Sequence, residues 1–142
     1  MGQRNNMKKG KAQIEHEIYT ALAGFIRERI AGGFYRSETR PRDSKEEDAV
    51  IVAGTPSGEQ LQKGRVRILL FVPDIDNGTG THVPDIQRLQ ELEELAEKII
   101  DTLHEGLPDY SFEFLTAPDT GSVSESREHF VNINLQYLRK TF

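Results

Sequence analysis

A chain of 142 residues with 36% hydrophobic and 29% charged side chains is long and apolar enough for one domain with a real core, which excludes a disordered polymer. A formal net charge of −5 argues against broad binding to nucleic acid or acidic membranes, and the lack of cysteine excludes disulfides and thiolate metal sites. No apolar run reaches membrane-span length and no signal-peptide pattern opens the sequence, so a soluble protein of the cytoplasm is expected.

Residues 1–11 carry Arg4, Lys8, Lys9 and Lys11 without apolar periodicity and read as a solvated basic arm. Residues 12–31 read as a helix, with Ile14, Ile18, Leu22, Phe25, Ile26 and Ile30 in one stripe, Glu15 and Glu17 near its start, and Gly32-Gly33 as its stop. Phe34-Tyr35 opens a short strand, residues 37–48 form a charged loop around Arg40-Pro41-Arg42, and residues 49–53 form a strand through Val50, Ile51 and Val52. Thr55-Pro56-Ser57-Gly58 supplies turn chemistry for a hairpin return.

The central strand is residues 63–73. It alternates at first, Arg65 and Arg67 against Val66 and Ile68, and from Ile68 to Val72 is apolar on both sides, which predicts cover on both faces. Pro73 ends it. After a polar loop at 74–83, Pro84 and Asp85 start a helix that runs to Glu105 on the stripe Ile86, Leu89, Leu92, Ala96, Ile99 and Leu103, closed by Gly106 and Pro108. Residues 110–115 alternate as a strand with an aromatic face, 116–126 read as a loop, and 127–138 alternate as a last strand. The predicted fold is α+β, in the order α-β-β-α-β-β. It has a mainly antiparallel sheet of about four to five strands with two helices packed on one face, in a single domain.

No catalytic constellation or cofactor motif is present. The four histidines, His16, His82, His104 and His129, share no ligand spacing, and Gly78-Thr79-Gly80 lacks what a phosphate cradle needs. Asp74, Asp76 and Asp85 occupy positions one, three and twelve of a calcium-type loop. Gly78 and Thr79, however, stand where a ligand and the turn glycine belong, leaving a weak metal candidate. Helix, three strands, helix is also the order of double-stranded RNA-binding domains, but the second helix here opens on Asp85 and carries five Glu between positions 91 and 105. Nucleic acid is not an expected partner. The polar residues Asp76, Asn77, Thr79 and His82 of the first loop and Asp119, Thr120 and Ser122 of the second are the candidate interface residues.

Four apolar segments carry a family resemblance: Ile18-Tyr19-Thr20-Ala21-Leu22; Val66-Arg67-Ile68-Leu69-Leu70-Phe71-Val72; Ile99-Ile100-Asp101-Thr102-Leu103-His104; and Phe130-Val131-Asn132-Ile133-Asn134-Leu135. In their order the chain, over 12–138, resembles the tail-completion or tail-terminator proteins of long-tailed bacteriophages and prophages, which join head to tail. The resemblance implies a non-enzymatic homo-oligomeric ring without cofactor, with tail-tube or neck proteins as partners. It implies assembly in the cytoplasm and a place in the virion, and it carries over no catalytic or ligand residue.

Overall fold

The computed structural model describes residues 8–142. Helix α1, Lys11–Arg27, forms because Ile14, Ile18, Leu22 and Ile26 recur every fourth residue and bury completely in one stripe. It ends four residues before the predicted stop. Glu28 N–H still bonds Gly24 O, but Arg29 N–H tightens onto Ile26 O. The early turn lets Gly32 N–H reach Glu47 O at 2.8 Å, an approach so close that a Cβ on Gly32 would stand 2.6 Å from that oxygen.

The basic arm is a partial correction. Residues 1–7 lie outside the described residues, whereas residues 8–10 are anchored: Lys9 exchanges backbone bonds with the Gln62 amide (3.1 and 2.9 Å), and Lys8 pairs with Glu59. Glu15, expected to serve the helix dipole, is buried instead, accepting from Arg36 Nε (3.0 Å), Ser37 Oγ (2.5 Å) and Ala53 N (3.1 Å).

The sheet is mixed and six-stranded, in the order β1-β2-β3-β8-β6, with β7 also on β8. Its strands are β1 Phe34–Arg36, β2 Ala49–Ala53, β3 Leu61–Pro73, β6 Tyr110–Phe114, β7 Asp119–Val123 and β8 Glu128–Lys140. β1 runs parallel to β2 and every other pairing is antiparallel. Its spine is β3 with β8, paired without a break from Leu61↔Lys140 to Pro73↔Glu128. A separate two-stranded hairpin, β4 Ile75–Asp76 and β5 His82–Val83, occupies the first predicted loop.

The second predicted loop is largely strand. β6 and β7 lie in line along one edge of β8, with residues 115–118 bulging opposite only Ile133 and Asn134. Asp-Thr-Gly-Ser-Val has no apolar alternation to announce a strand. Backbone pairing holds it, and the Phe130 ring lies over Gly121, where a Cβ would meet Cζ at 2.5 Å.

The second helix is two segments, α2 Ile86–Glu93 and α3 Ala96–Gly106. Leu95 N–H tightens onto Leu92 O between them. That adjustment lets α2 pack on β3 and β8 while α3 packs on α1 and β6. Asp85 is the N-cap, accepting Arg88 N–H at 3.2 Å.

All three helices cover one face of the sheet. The core joins their apolar stripes to Ala49, Ile51 and Ala53, to Val66, Ile68, Leu70 and Val72, and to Val131, Ile133, Leu135 and Tyr137. The expected cover on both faces of Ile68–Val72 is therefore corrected. Leu69 and Phe71 point to the opposite face, which no helix among the described residues covers, and stay half-buried.

Candidate functional site

Two features stand out: the bare face of the sheet and a polar rim at one end of β3 and β8. Along the bare face, β3 presents Lys63, Arg65 and Arg67 in the open, then Leu69 and Phe71 half-buried. Opposite them β8 presents Leu138, Gln136, Asn134, Asn132 and Phe130 in register. Arg67 Nε donates to Asn132 Oδ1 (3.2 Å), and the Phe71 and Phe130 rings stand 5.7 Å apart.

Arg40 closes the Phe71 end. Its guanidinium lies 3.9 Å from the centre of the Phe71 ring and donates to Asp48 Oδ2 (2.9 Å) and to both Glu128 oxygens (2.9 and 3.2 Å). Both carboxylates are buried. Asp48 also accepts from Ser44 Oγ and Gly33 N–H, and Glu128 from Ser126 Oγ at 2.7 Å. Burial pushes Asp48 up, but Ser44, Arg40 and Gly33 outweigh it and hold the carboxyl below its ordinary 3.8.

Beyond Glu128 the rim continues through the β4–β5 hairpin. Asp74 N–H bonds Arg127 O at 3.0 Å, His129 Nδ1 lies 2.7 Å from Asp74 Oδ1, and Arg127 reaches His82 Nδ1 at 3.3 Å. Arg127 holds φ at 52°, the left-handed turn that feeds β8. A cavity of about 450 Å³ opens here, walled by Asp74, Gly80, His82, Ser122, Arg127, Glu128 and His129. Ser122 faces His129 across the strands, yet its hydroxyl makes no hydrogen bond among the described residues, so nothing joins it to the Asp74–His129 pair as a nucleophile.

The predicted site residues separate accordingly. His82 and Ser122 share the rim cavity. Asp76, Asn77 and Thr79 form the exposed hairpin tip and bond to it: Asp76 Oδ1 accepts Gly78 and Gly80 N–H, and Asn77 Oδ1 accepts Thr79 N–H. Asp119 turns to the bare face beside Asn132, while Thr120 pairs with Val131 on the other. The candidate metal carboxylates are not gathered, since Asp74 serves His129, Asp76 the turn and Asp85 the cap of α2. Among the described residues no group of three or more His, Asp or Glu could hold a metal ion.

Sequence reasoning passed over Arg40, Asp48, Glu128, Arg127 and His129. Arg40 and Glu128 are 88 residues apart, and the only local hint was a carboxylate at the threshold of each of two strands. At the far end of β8 a second cavity of about 450 Å³ is walled by Lys9, His16, Glu17, Tyr110 and Arg139 among others. Three of its charged groups are engaged: Tyr110 donates to Glu17 (2.7 Å), Lys9 pairs with Glu17, and Arg139 donates to Gln62 (3.0 Å).

Comparison with known proteins adds the fold alone. No family model matches the chain, and no curated protein does. A solved structure of a protein whose name states no activity superposes with a TM-score of 0.52 over 91% of this chain and 94% of its own, at 14% identity. The chain shares that architecture. Among the described residues no helix is long and apolar enough to cross a membrane.

Proposed function

We propose that this chain is a non-enzymatic assembly subunit of a phage-type tail or neck, which closes into a ring and meets tail-tube or neck proteins. The observation that carries the reading is the one-sided sheet. Three helices seal one face, and the other bears Leu69, Phe71, Phe130 and Leu138 half-buried among polar side chains, with no helix over them among the described residues. A mixed apolar and charged face suits a surface that stays soluble alone and is covered on assembly. The four apolar segments that resemble tail-completion proteins lie on α1, β3, α3 and β8, the elements that build this layer. On this reading the protein assembles in the cytoplasm and ends in the virion.

The test is light scattering and negative-stain microscopy of the purified chain, with and without a tail-tube protein. Rings, with slower hydrogen exchange at the bare face and at the 74–83 hairpin after assembly, are expected. A strict monomer that joins neither itself nor a tube or neck protein overturns the proposal.

A further inference from the structure

The outward surface of α2 and α3 carries a line as regular as the core stripe behind it. Ile86, Gln90, Glu94, Glu97, Asp101 and Glu105 recur at spacings of four, four, three, four and four, and all six are exposed. Ile86, expected in the core stripe, is instead 65% exposed, an unusual position for a large aliphatic side chain. Glu97, Asp101 and Glu105 have no cationic partner within ion-pair distance among the described residues. Lys98, exposed and four residues after Glu94, shares this face, which keeps a net negative charge from Glu94, Glu97, Asp101 and Glu105.

The bare face of the sheet carries the opposite pattern. Reading along β3, Lys63, Arg65 and Arg67 are exposed, and none has a carboxylate within ion-pair distance among the described residues. Leu69 and Phe71 follow. Each line therefore has a charged part and an apolar end, with opposite sign in the charged part. Laid antiparallel, the charged parts match in length: Lys63 to Arg67 spans about 13 Å at about 3.3 Å per residue, and Glu97 to Glu105, within α3, about 12 Å at about 1.5 Å per residue. Of the acidic residues on the bare face, Glu128 is held by Arg40 at the Phe71 end, and Glu113 and Asp119 lie beyond β8 at the opposite edge from β2, separated from β3 by the amides of Asn132, Asn134 and Gln136.

We infer that the occupant of the bare sheet face is the α2–α3 surface of a second copy of this chain. Lys63, Arg65 and Arg67 meet Glu94, Glu97, Asp101 and Glu105, and Ile86 lies toward the apolar Leu69–Phe71 end. This deepens the assembly reading and rests on it. The two surfaces lie on opposite sides of the domain, so the contact is heterologous: each copy offers its sheet to one neighbour and its helices to the next. Such a contact propagates, and it closes into a ring when the rotation per subunit divides a full turn. Guanidinium–carboxylate pairs fix the register, and the contact weakens with salt.

Two charge reversals test it, Arg65→Glu with Arg67→Glu on the sheet and Glu97→Lys with Asp101→Lys on the helices. All four side chains are exposed, and circular dichroism checks that the folds are unchanged. By light scattering and sedimentation, each reversed protein alone should self-associate at least about tenfold more weakly than the parent. An equimolar mixture of the two should recover the assembly, because each reversed surface then faces a reversed partner. Parent assembly that both reversals leave unchanged, or variants that stay weak when mixed, overturns this surface while the assembly reading stands. A parent chain that is monomeric at every concentration, in low salt and with tube protein present, overturns both.

Discussion

Arg40 and Glu128, 88 residues apart, meet in a two-pronged pair at 2.9 and 3.2 Å, while the same guanidinium holds Asp48 and lies against Phe71. One side chain thereby ties the 37–48 loop, the start of β2, the end of β3 and the start of β8 into one corner. Two buried carboxylates around one cation are stable only while the cation stays. Arg40→Ala leaves both unpaired in the low-dielectric interior, an expected loss of about 3–5 kcal/mol in stability. Urea unfolding measures it, and a loss below about 1 kcal/mol would mean that water already reaches both carboxylates.

Asp48 in this corner and Glu15 at the other end of β2 set an acid limit. Asp48 and Glu15 are both held below their ordinary values of 3.8 and 4.5: burial opposes ionisation, but Ser44, Arg40 and Gly33 at Asp48, and Ser37, Ala53 N–H and Arg36 at Glu15, outweigh it. A carboxylate with a depressed folded pKa contributes stability that is present above its unfolded value and lost as pH falls through the folded one. The chain should keep its full stability down to about pH 5 and lose it progressively below about pH 4.5. Asp48→Asn should lower the neutral-pH stability and flatten that acid slope. Thermal unfolding between pH 7 and pH 3 reads both, and an unaltered slope in the variant would count against Asp48 as its source.

Tyr137 makes a prediction of the opposite sign. Its ring packs over Gly64, where an added Cβ would stand 2.6 Å from Cζ, and its hydroxyl is buried with no hydrogen-bond partner among the described residues. Burial pushes the phenol up to about 12. An unpaired buried hydroxyl costs about 1–3 kcal/mol, so Tyr137→Phe should leave stability unchanged or raise it at neutral pH. It should also reduce the loss between pH 10 and 12, where the unfolded phenol ionises and the folded one resists. Gly64→Ala should destabilise by about 1–3 kcal/mol, because the ring has nowhere to go. Denaturant titrations of the two variants separate the effects, and a clear destabilisation by Tyr137→Phe would reveal a partner for the hydroxyl.

Local periodicity carries a great deal of this molecule. The stripe Ile14-Ile18-Leu22-Ile26, the alternation Val66-Ile68-Leu70-Val72 and its mate Val131-Ile133-Leu135 each specify an element type and a buried face through neighbours a few residues apart. Helix and strand periods are properties of a short stretch, so they can be read from it. Phe71 shows the limit: an apolar side chain on a strand looks the same whether a helix or an arginine from a distant loop covers it. β7 shows another, since Asp119–Val123 is a strand only because β8 offers it an edge, and backbone bonds of that kind leave no mark on side-chain pattern. The Arg40 corner, the Asp74–His129 pair and the opposed charges of the bare face and the α2–α3 surface were decided by tertiary structure alone. Each is a relation across tens of residues, and electrostatic partners are chosen by distance in space, which composition and spacing do not encode.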